Sequence, residues 1–185
     1  MSKSSSIREF ELDGDGKLIP DVATGYRLTA RSLEARRQRR ISRLKGREPM
    51  EDLPKHLCVH PDDPSYRCPD RVQYGIPVTI YQLYDYAVAR GLRIKNPYGS
   101  TSQRATFFTD LRNKVVADLG EMCRTTLHSA GILSVDYDCI LALHDNYSVY
   151  DDELEDAEEQ QVVEILQRAL KTEEKPKWYF DVMPF

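Results

Sequence analysis

Two histidines and two cysteines in the proline-rich stretch 48–71 have side chains that bind metals. His56, Cys58 and His60 alternate along the chain, and Cys68 follows them. Four nitrogen and sulfur ligands form the set that tetrahedral Zn²⁺ prefers. Alternate residues of an extended segment point to opposite sides, so these side chains converge only in a bent loop. One interpretation is therefore a zinc site, and the other is a proline-rich loop with incidental cysteines and no cofactor.

Two cysteine and histidine pairs carry the residue types of a thiol nucleophile and its base. Cys123 precedes His128, and Cys139 precedes His144, with the same spacing. Residues five apart on a helix are separated by about 140°, so neither pair meets within its own helix. Burial as core residues explains both cysteines equally well. We predict no catalytic residue, and a non-catalytic protein is favoured over a small metal-binding protein or enzyme.

The segment before the longest helical pattern has the composition of an anion-binding loop. Hydroxyl and basic side chains gather there, and they are Arg93, Lys95, Ser100, Thr101, Ser102 and Arg104. Free backbone N–H groups at a helix N-terminus attract anions, but Ser and Thr are also ordinary helix caps. Both interpretations stay open. The glycine spacings of Walker and Rossmann nucleotide sites are absent from the sequence, so nucleotide binding is not predicted. The sequence identifies no other small-molecule ligand.

The stretch LTARSLEARRQRRISRLK, residues 28–45, predicts a basic amphipathic helix. Four apolar residues share a stripe roughly 80° wide with Arg37 in its middle, and they are Ala30, Leu33, Ile41 and Leu44. The arginines of the candidate binding surface are Arg36, Arg37, Arg39, Arg40 and Arg43. The helix could lie against the acidic C-terminal part of the same chain, or it could bind nucleic acid.

A third interpretation of this helix is regulatory. Arg39, Arg40, Ile41 and Ser42 spell a sequence that basophilic kinases accept. A phosphate on Ser42 would sit among arginines that can form charge-assisted hydrogen bonds with it. Ser42 is therefore a candidate phosphorylation site.

The charge of the chain is polarised along its length. A formal net charge of −4 over 185 residues hides a basic segment, 27–47, and an acidic segment, 136–164, that contains no Lys or Arg. No stretch approaches the ~18 apolar residues of a membrane span, and four irregularly spaced cysteines suit a reducing compartment. We expect an intracellular protein, cytoplasmic or nuclear, that does not enter a membrane.

The hydrophobic patterns predict a mainly α fold. Thr79 caps a helix whose apolar residues recur with helical spacing up to Gly91, and a longer helix is expected over residues 102–129. Residues 132–146 allow a buried strand or a short helix, and the helical neighbours favour the helix. Another helix follows Ser148. The expected architecture is a compact helical bundle, preceded by a short β-hairpin around Asp13–Gly16 and by the basic helix.

These patterns divide the chain into three parts. Residues 1–47 form the hairpin and basic-helix arm, 48–71 a proline-rich loop or linker, and 72–185 a helical domain with an aromatic C-terminal tail. The expected function is protein interaction through the basic helix and the acidic C-terminal face. The partner would be another protein or a second copy of the chain, and nucleic-acid binding is the alternative.

Overall fold

The described part of the chain is a mixed α/β fold, so the expected mainly α bundle is wrong. The computed structural model describes residues 9–59, 69–98, 101–148 and 154–182. Within these ranges the strands are β1 (Pro20–Asp21), β2 (Gly25–Tyr26), β3 (Val72–Val78), β4 (His128–Gly131), β5 (Cys139–Asp145) and β6 (Lys177–Phe180). The helices in the same ranges are α1 (Ala30–Leu44), α2 (Ile80–Ala89), α3 (Thr101–Cys123) and α4 (Asp156–Leu170). None of these helices is long and apolar enough to cross a bilayer.

Four strands form the central sheet in the order β4-β5-β3-β6, with antiparallel neighbours. The sheet rolls until its two edges meet. The Leu133 N–H donates to the Phe180 carbonyl at 2.9 Å, and the Val182 N–H donates to the Gly131 carbonyl at 3.0 Å. These bonds satisfy backbone groups that would otherwise be open for pairing with another chain.

The main core lies between one face of this sheet and the helices α2, α3 and α4. It contains Ile76, Val78 and Leu141 from the strands together with Leu83, Leu111 and Leu166 from the helices. All six are fully buried, and each contributes about 1.5–3 kcal/mol by leaving water. The rolled sheet also holds a smaller cluster of its own, which contains Ile132, Ile140, Ala142 and Tyr179.

Residues 139–145 form a strand, and the favoured helix there is wrong. Cys139 through His144 are all buried, so burial is continuous along the strand instead of alternating. A strand buried on both faces shows neither the period of a helix nor that of a half-exposed strand. The neighbouring helices do not imply a helix here, because they pack on the sheet that contains this strand.

The longest helix also ends earlier than expected. It stops at Cys123, where Arg124 adopts φ 54° and the Thr125 N–H donates to the Gly120 carbonyl at 3.2 Å. This left-handed turn is a helix stop that glycine usually supplies. Because an arginine supplies it here, the sequence carried no glycine signal, and β4 begins where the helix was predicted to continue.

The predictions for α2 and for the hairpin turn are confirmed. Thr79 caps α2 in a capping box with Gln82, and Gly91 follows with φ 66°. Arg90 forms two hydrogen bonds with Asp118, at 2.9 and 3.1 Å, which join α2 to α3. In the arm, the Asp13 N–H donates to the Lys17 carbonyl at 2.8 Å and closes the predicted turn.

Candidate interaction site

The basic segment forms a regular helix on the surface of the protein. In α1, the side chain of Thr29 caps the first turn by accepting a hydrogen bond from the Ser32 N–H at 3.3 Å. Ser32 is the one buried residue of α1. A helix with so little buried surface depends on a few specific contacts for its position.

Asp138 supplies the main contact that holds α1 to the body of the protein. Its Oδ1 accepts hydrogen bonds from Nη2 of Arg40 at 2.6 Å and from Nη2 of Arg36 at 3.4 Å. Nη1 of Arg40 also donates to the carbonyls of Val135 at 2.9 Å and Tyr137 at 3.3 Å. The arginine thus joins a carboxylate and two carbonyl oxygens, a geometry that the guanidinium group suits well.

The other oxygen of Asp138 belongs to a different element. Its Oδ2 accepts the Ile80 N–H at 3.2 Å, at the N-terminus of α2, where the helix dipole favours a negative charge. One carboxylate therefore fixes α1 against the start of a core helix. The side chain of Asp138 is only 20% exposed, so solvent screens these interactions incompletely.

The apolar stripe of α1 lies beside this anchor around the helix. We call the residues Ala30, Leu33, Arg37, Ile41 and Leu44 the seam of α1. Leu33 is 49% exposed and Ile41 is 41% exposed, and Ala30 and Arg37 are also exposed. Arg36 and Arg40 lie roughly 100° and 60° from Arg37 around the helix axis, so the anchored face and the seam are adjacent. The fold thus holds the helix in place and leaves Leu33 and Ile41 about half exposed.

The arginines predicted to bind nucleic acid do not act as one group. Arg36 and Arg40 are paired with Asp138. Nε of Arg39 donates to the Ala35 carbonyl of the same helix at 3.1 Å. Arg37 and Arg43 are exposed, and neither has an ion pair with a residue that the structure describes. Asp138 belongs to the acidic segment 136–164, so part of the basic charge is neutralised within the chain.

The predicted anion site is placed only in part. Nη2 of Arg104 donates to the Ala23 carbonyl at 2.9 Å, and its guanidinium lies over the Phe108 ring, so this arginine joins the turn between β1 and β2 to α3. Arg93 and Lys95 are exposed. Thr101 and Ser102 begin α3, and the structure does not describe their side chains, while Ser100 lies outside the described residues. The anion site therefore stays a prediction.

The candidate zinc ligands are also only partly described. His56 is exposed, and the half-buried Cys58 thiol lies 3.5 Å from the Pro54 carbonyl oxygen. His60 and Cys68 lie outside the described ranges. Within those ranges, no three His, Cys, Asp or Glu side chains are placed to hold a metal ion. The four-ligand site itself is untested.

The two cysteine and histidine pairs lie on α3, β4 and β5. Burial raises the pKa of the Cys139 thiol to about 12, so this cysteine carries almost no thiolate at neutral pH. The His144 ring stacks on the Tyr74 ring with their centroids 4.9 Å apart. Cys139 is the first residue of β5 and His144 is the last but one, so their side chains do not meet. Cys123 is half-buried and ends α3, whereas His128 is exposed in β4.

Sequence reasoning missed two residues that organise this surface and the body behind it. Asp138 is one acid among many in segment 136–164, and nothing in its neighbours marks it as the anchor. Asn146 is fully buried; its Oδ1 accepts the Val72 N–H at 3.0 Å, and its Nδ2 donates to the carbonyls of Leu57 at 2.8 Å and Asp70 at 3.1 Å. Both act through contacts distant in sequence, which no local pattern reveals.

Comparison with known proteins adds no relative. No protein family, no curated protein and no solved structure matches this chain.

We expect Asp138→Asn to lower the free energy of unfolding by about 1–3 kcal/mol. Asparagine has the size of aspartate. It offers a single uncharged oxygen, however, to the donors from α1 and α2 that the two carboxylate oxygens accept in the native chain. Urea denaturation followed by circular dichroism measures the change. Asp136→Asn, at an exposed acid two residues earlier, is the matched control and should change stability by less than about 0.5 kcal/mol. Equal stabilities of the two variants would contradict the role of Asp138 as the anchor.

Proposed function

We propose that this is a non-catalytic interaction protein that binds a protein partner through the seam of α1. The observation that carries the proposal is the exposure of Leu33 and Ile41 on a helix that is otherwise held in place by Asp138. Apolar residues at helical spacing on an accessible face are the feature that grooves of partner proteins recognise.

The energetics support a contact at the seam. Each of Leu33 and Ile41 keeps roughly half of its surface in water, so covering both would contribute about 1 kcal/mol per side chain. The anchor adds to this gain, because a helix that is already ordered loses less conformational entropy when it binds. The exposed acids of α4, among them Asp156, Glu158 and Glu164, form the acidic face that we propose as a secondary contact surface.

Nucleic-acid binding through the arginines of α1 is the weaker candidate. The pairing of Arg36 and Arg40 with Asp138 reduces the positive charge available to phosphates. A protein partner also accounts for the apolar residues of the seam, which phosphate contacts do not need. We retain a cytoplasmic or nuclear location as part of the proposal.

Photo-cross-linking from α1 tests the interaction. A photoreactive p-benzoylphenylalanine at position 33 or 41 should cross-link a discrete partner in extracts of the natural source. The same group at position 35, which is exposed but roughly 160° from Arg37 around the helix, should not. Equal capture from position 35, or no capture from position 33 or 41, would refute the proposal.

A double substitution tests whether the apolar side chains of the seam make the contact with the partner. Leu33→Glu with Ile41→Glu should abolish capture of the partner by an affinity-tagged chain. Because both side chains are about half exposed, the free energy of unfolding should change by less than about 1 kcal/mol. Thermal unfolding of the double variant measures that stability, and retained capture would contradict the proposal.

A further inference from the structure

The seam of α1 has a charge between its two exposed aliphatic residues. Leu33 and Ile41 are four residues before and after Arg37, so they lie roughly 12 Å apart along the helix with the guanidinium group midway. Burying an unpaired charge is strongly unfavourable. A surface that covers both aliphatic side chains must therefore supply two apolar groups at this separation and an acid between them.

The exposed face of α2 supplies this combination. Of the helices in the described ranges, only α1 and α2 expose two large apolar side chains each. In α2 these are Tyr81, 47% exposed, and Val88, 57% exposed, which lie roughly 10 Å apart along the axis. Asp85 lies between them, and the three residues fall within roughly 60° around the helix. Asp85 is the one charged residue of α2; it is exposed and has no ion pair with a described residue.

The two faces also match in register. When Arg37 is set against Asp85 on helices with near-parallel axes, each apolar residue of α2 comes within about 1.5 Å, along the axis, of an aliphatic residue of the seam. The match holds for both relative directions of the helices, because Arg37 is equidistant from Leu33 and Ile41. The remaining charge of α1, which carries six arginines and one acid, is complementary to the single acid of α2.

The two faces are neighbours within one chain. Asp138 accepts hydrogen bonds from Arg36 of α1 and from the Ile80 N–H at the start of α2. Burial and a hydrogen bond to Asp21 raise the pKa of the adjacent Tyr81 to about 12, and the positive charge of Arg36 opposes that rise, so α1 lies close to Tyr81. A basic face beside an acidic face forms a self-complementary surface. A two-fold dimer uses such a surface, because each contact then occurs twice.

Three other surfaces of a second copy lack this combination. A second α1 sets Arg37 against its own equivalent or another arginine, and α4 directs its apolar residues into the core. In the N-terminal turn, Leu12 and Leu18 lie opposite each other in an antiparallel bridge, so they form one apolar point instead of two at the required separation. The Asp13 carboxylate beside them accepts two backbone N–H groups of the turn itself, each at 2.9 Å.

We infer that the seam of α1 binds the exposed face of α2 in a second copy of this chain, in a two-fold dimer in which Arg37 of each copy pairs with Asp85 of the other. This inference rests on the interaction function proposed above and names its protein partner. The apolar side chains of the two faces cover one another, and the ion pair fixes the register of the helices.

Charge reversal in the full chain, followed by sedimentation velocity at low salt, tests the dimer. An interface of this small size gives micromolar affinity, so the native chain is expected to dimerise at ~10–100 µM. Arg37→Glu and Asp85→Arg should each weaken dimerisation at least ~10-fold, because each brings like charges together twice. Arg43→Glu makes the same charge change at an exposed position roughly 120° from Arg37 around the helix, and it should dimerise like the native chain.

Mixing the two weakened variants gives the sharpest result. In a dimer of Arg37→Glu with Asp85→Arg, both contacts again join opposite charges, so an equimolar mixture should dimerise within ~3-fold of the native affinity. Recovery also shows that both variants are folded. No recovery in the mixture would overturn the pairing of Arg37 with Asp85.

The other outcomes overturn the inference and separate it from the interaction function. A native chain that is monomeric at ~200 µM would exclude the dimer; a different protein captured by the cross-linking would then be the partner. A dimer that neither charge reversal weakens would use another surface. A monomer that binds a short DNA or RNA duplex, with affinity that falls steeply as salt is raised, would favour nucleic acid.

Discussion

Gly75→Ala is expected to lower the free energy of unfolding by about 3 kcal/mol or more. Gly75 lies in β3 beside an irregularity in its pairing with β5. A Cβ atom at this position would lie 2.8 Å from the Cα of Ala142 and closer still to the Leu141 carbonyl oxygen. Both obstacles are backbone, so β3 and β5 would have to separate. Glycine in a strand interior often marks such a close approach.

Gly14→Ala is the matched control for this substitution. Nothing lies within 4 Å of a Cβ built at Gly14, in the N-terminal turn. Its stability should therefore stay within about 0.5 kcal/mol of the native chain. Urea denaturation of the native chain, Gly75→Ala and Gly14→Ala measures the three stabilities. A Gly75→Ala variant as stable as Gly14→Ala would contradict the close packing of β3 on β5.

The second large effect is expected for Asn146→Ala, at about 3–5 kcal/mol. The substitution removes the acceptor of the Val72 N–H and the donor to the carbonyls of Leu57 and Asp70. The Val72 N–H and the Leu57 carbonyl are left unpaired in a buried region, at a cost of about 1–3 kcal/mol each, whereas the Asp70 carbonyl is only partly buried and water can reach it more easily. The loop around Leu57 should also loosen, because Asn146 joins it to β3.

Asn113→Ala provides the comparison for Asn146. Asn113 is exposed on α3, where alanine is a good helix former. Its thermal midpoint should match or slightly exceed that of the native chain, while Asn146→Ala should unfold well below it. If Asn146→Ala and Asn113→Ala had the same thermal midpoint, the buried asparagine would have no structural role.

The sequence predicted the elements whose signals are local. Thr79 and Gly91 mark the ends of α2, and the periodic apolar residues of α1 and α3 identify helices that the structure contains. The glycines of the 13–16 turn likewise indicated the hairpin. In each case a cap, a stop or a period lies within a few residues, so the pattern needs no knowledge of tertiary contacts.

The sheet was missed because its strands are defined by their neighbours. In β3, Gly75 and Pro77 are weak strand residues, and they are accommodated by the pairing with β5. The residues around Trp178 were predicted only as an aromatic C-terminal tail, because the pairing of β6 with β3 is a long-range contact. Continuous burial removed the alternation that would have indicated β5.

In the candidate site, too, the features with local signals were predicted and the long-range contacts were not. The amphipathic pattern of α1 located the seam and placed Arg37 within it. The division of the arginines between the anchor and the exposed surface depends on Asp138, about a hundred residues further along the chain. A helical wheel cannot predict this, since it contains no information on the loop against which the helix packs.

Hydrogen exchange of the α1 backbone amides is the most direct test of the central claim, that Asp138 holds α1 as a fixed helix with its seam exposed. In the native chain, the amides of residues 34–44 should exchange at least ~10-fold more slowly than in Asp138→Asn, because the anchor suppresses local opening. Exchange of these amides in the native chain at the rate of an unstructured peptide, unaffected by Asp138→Asn, would contradict the account.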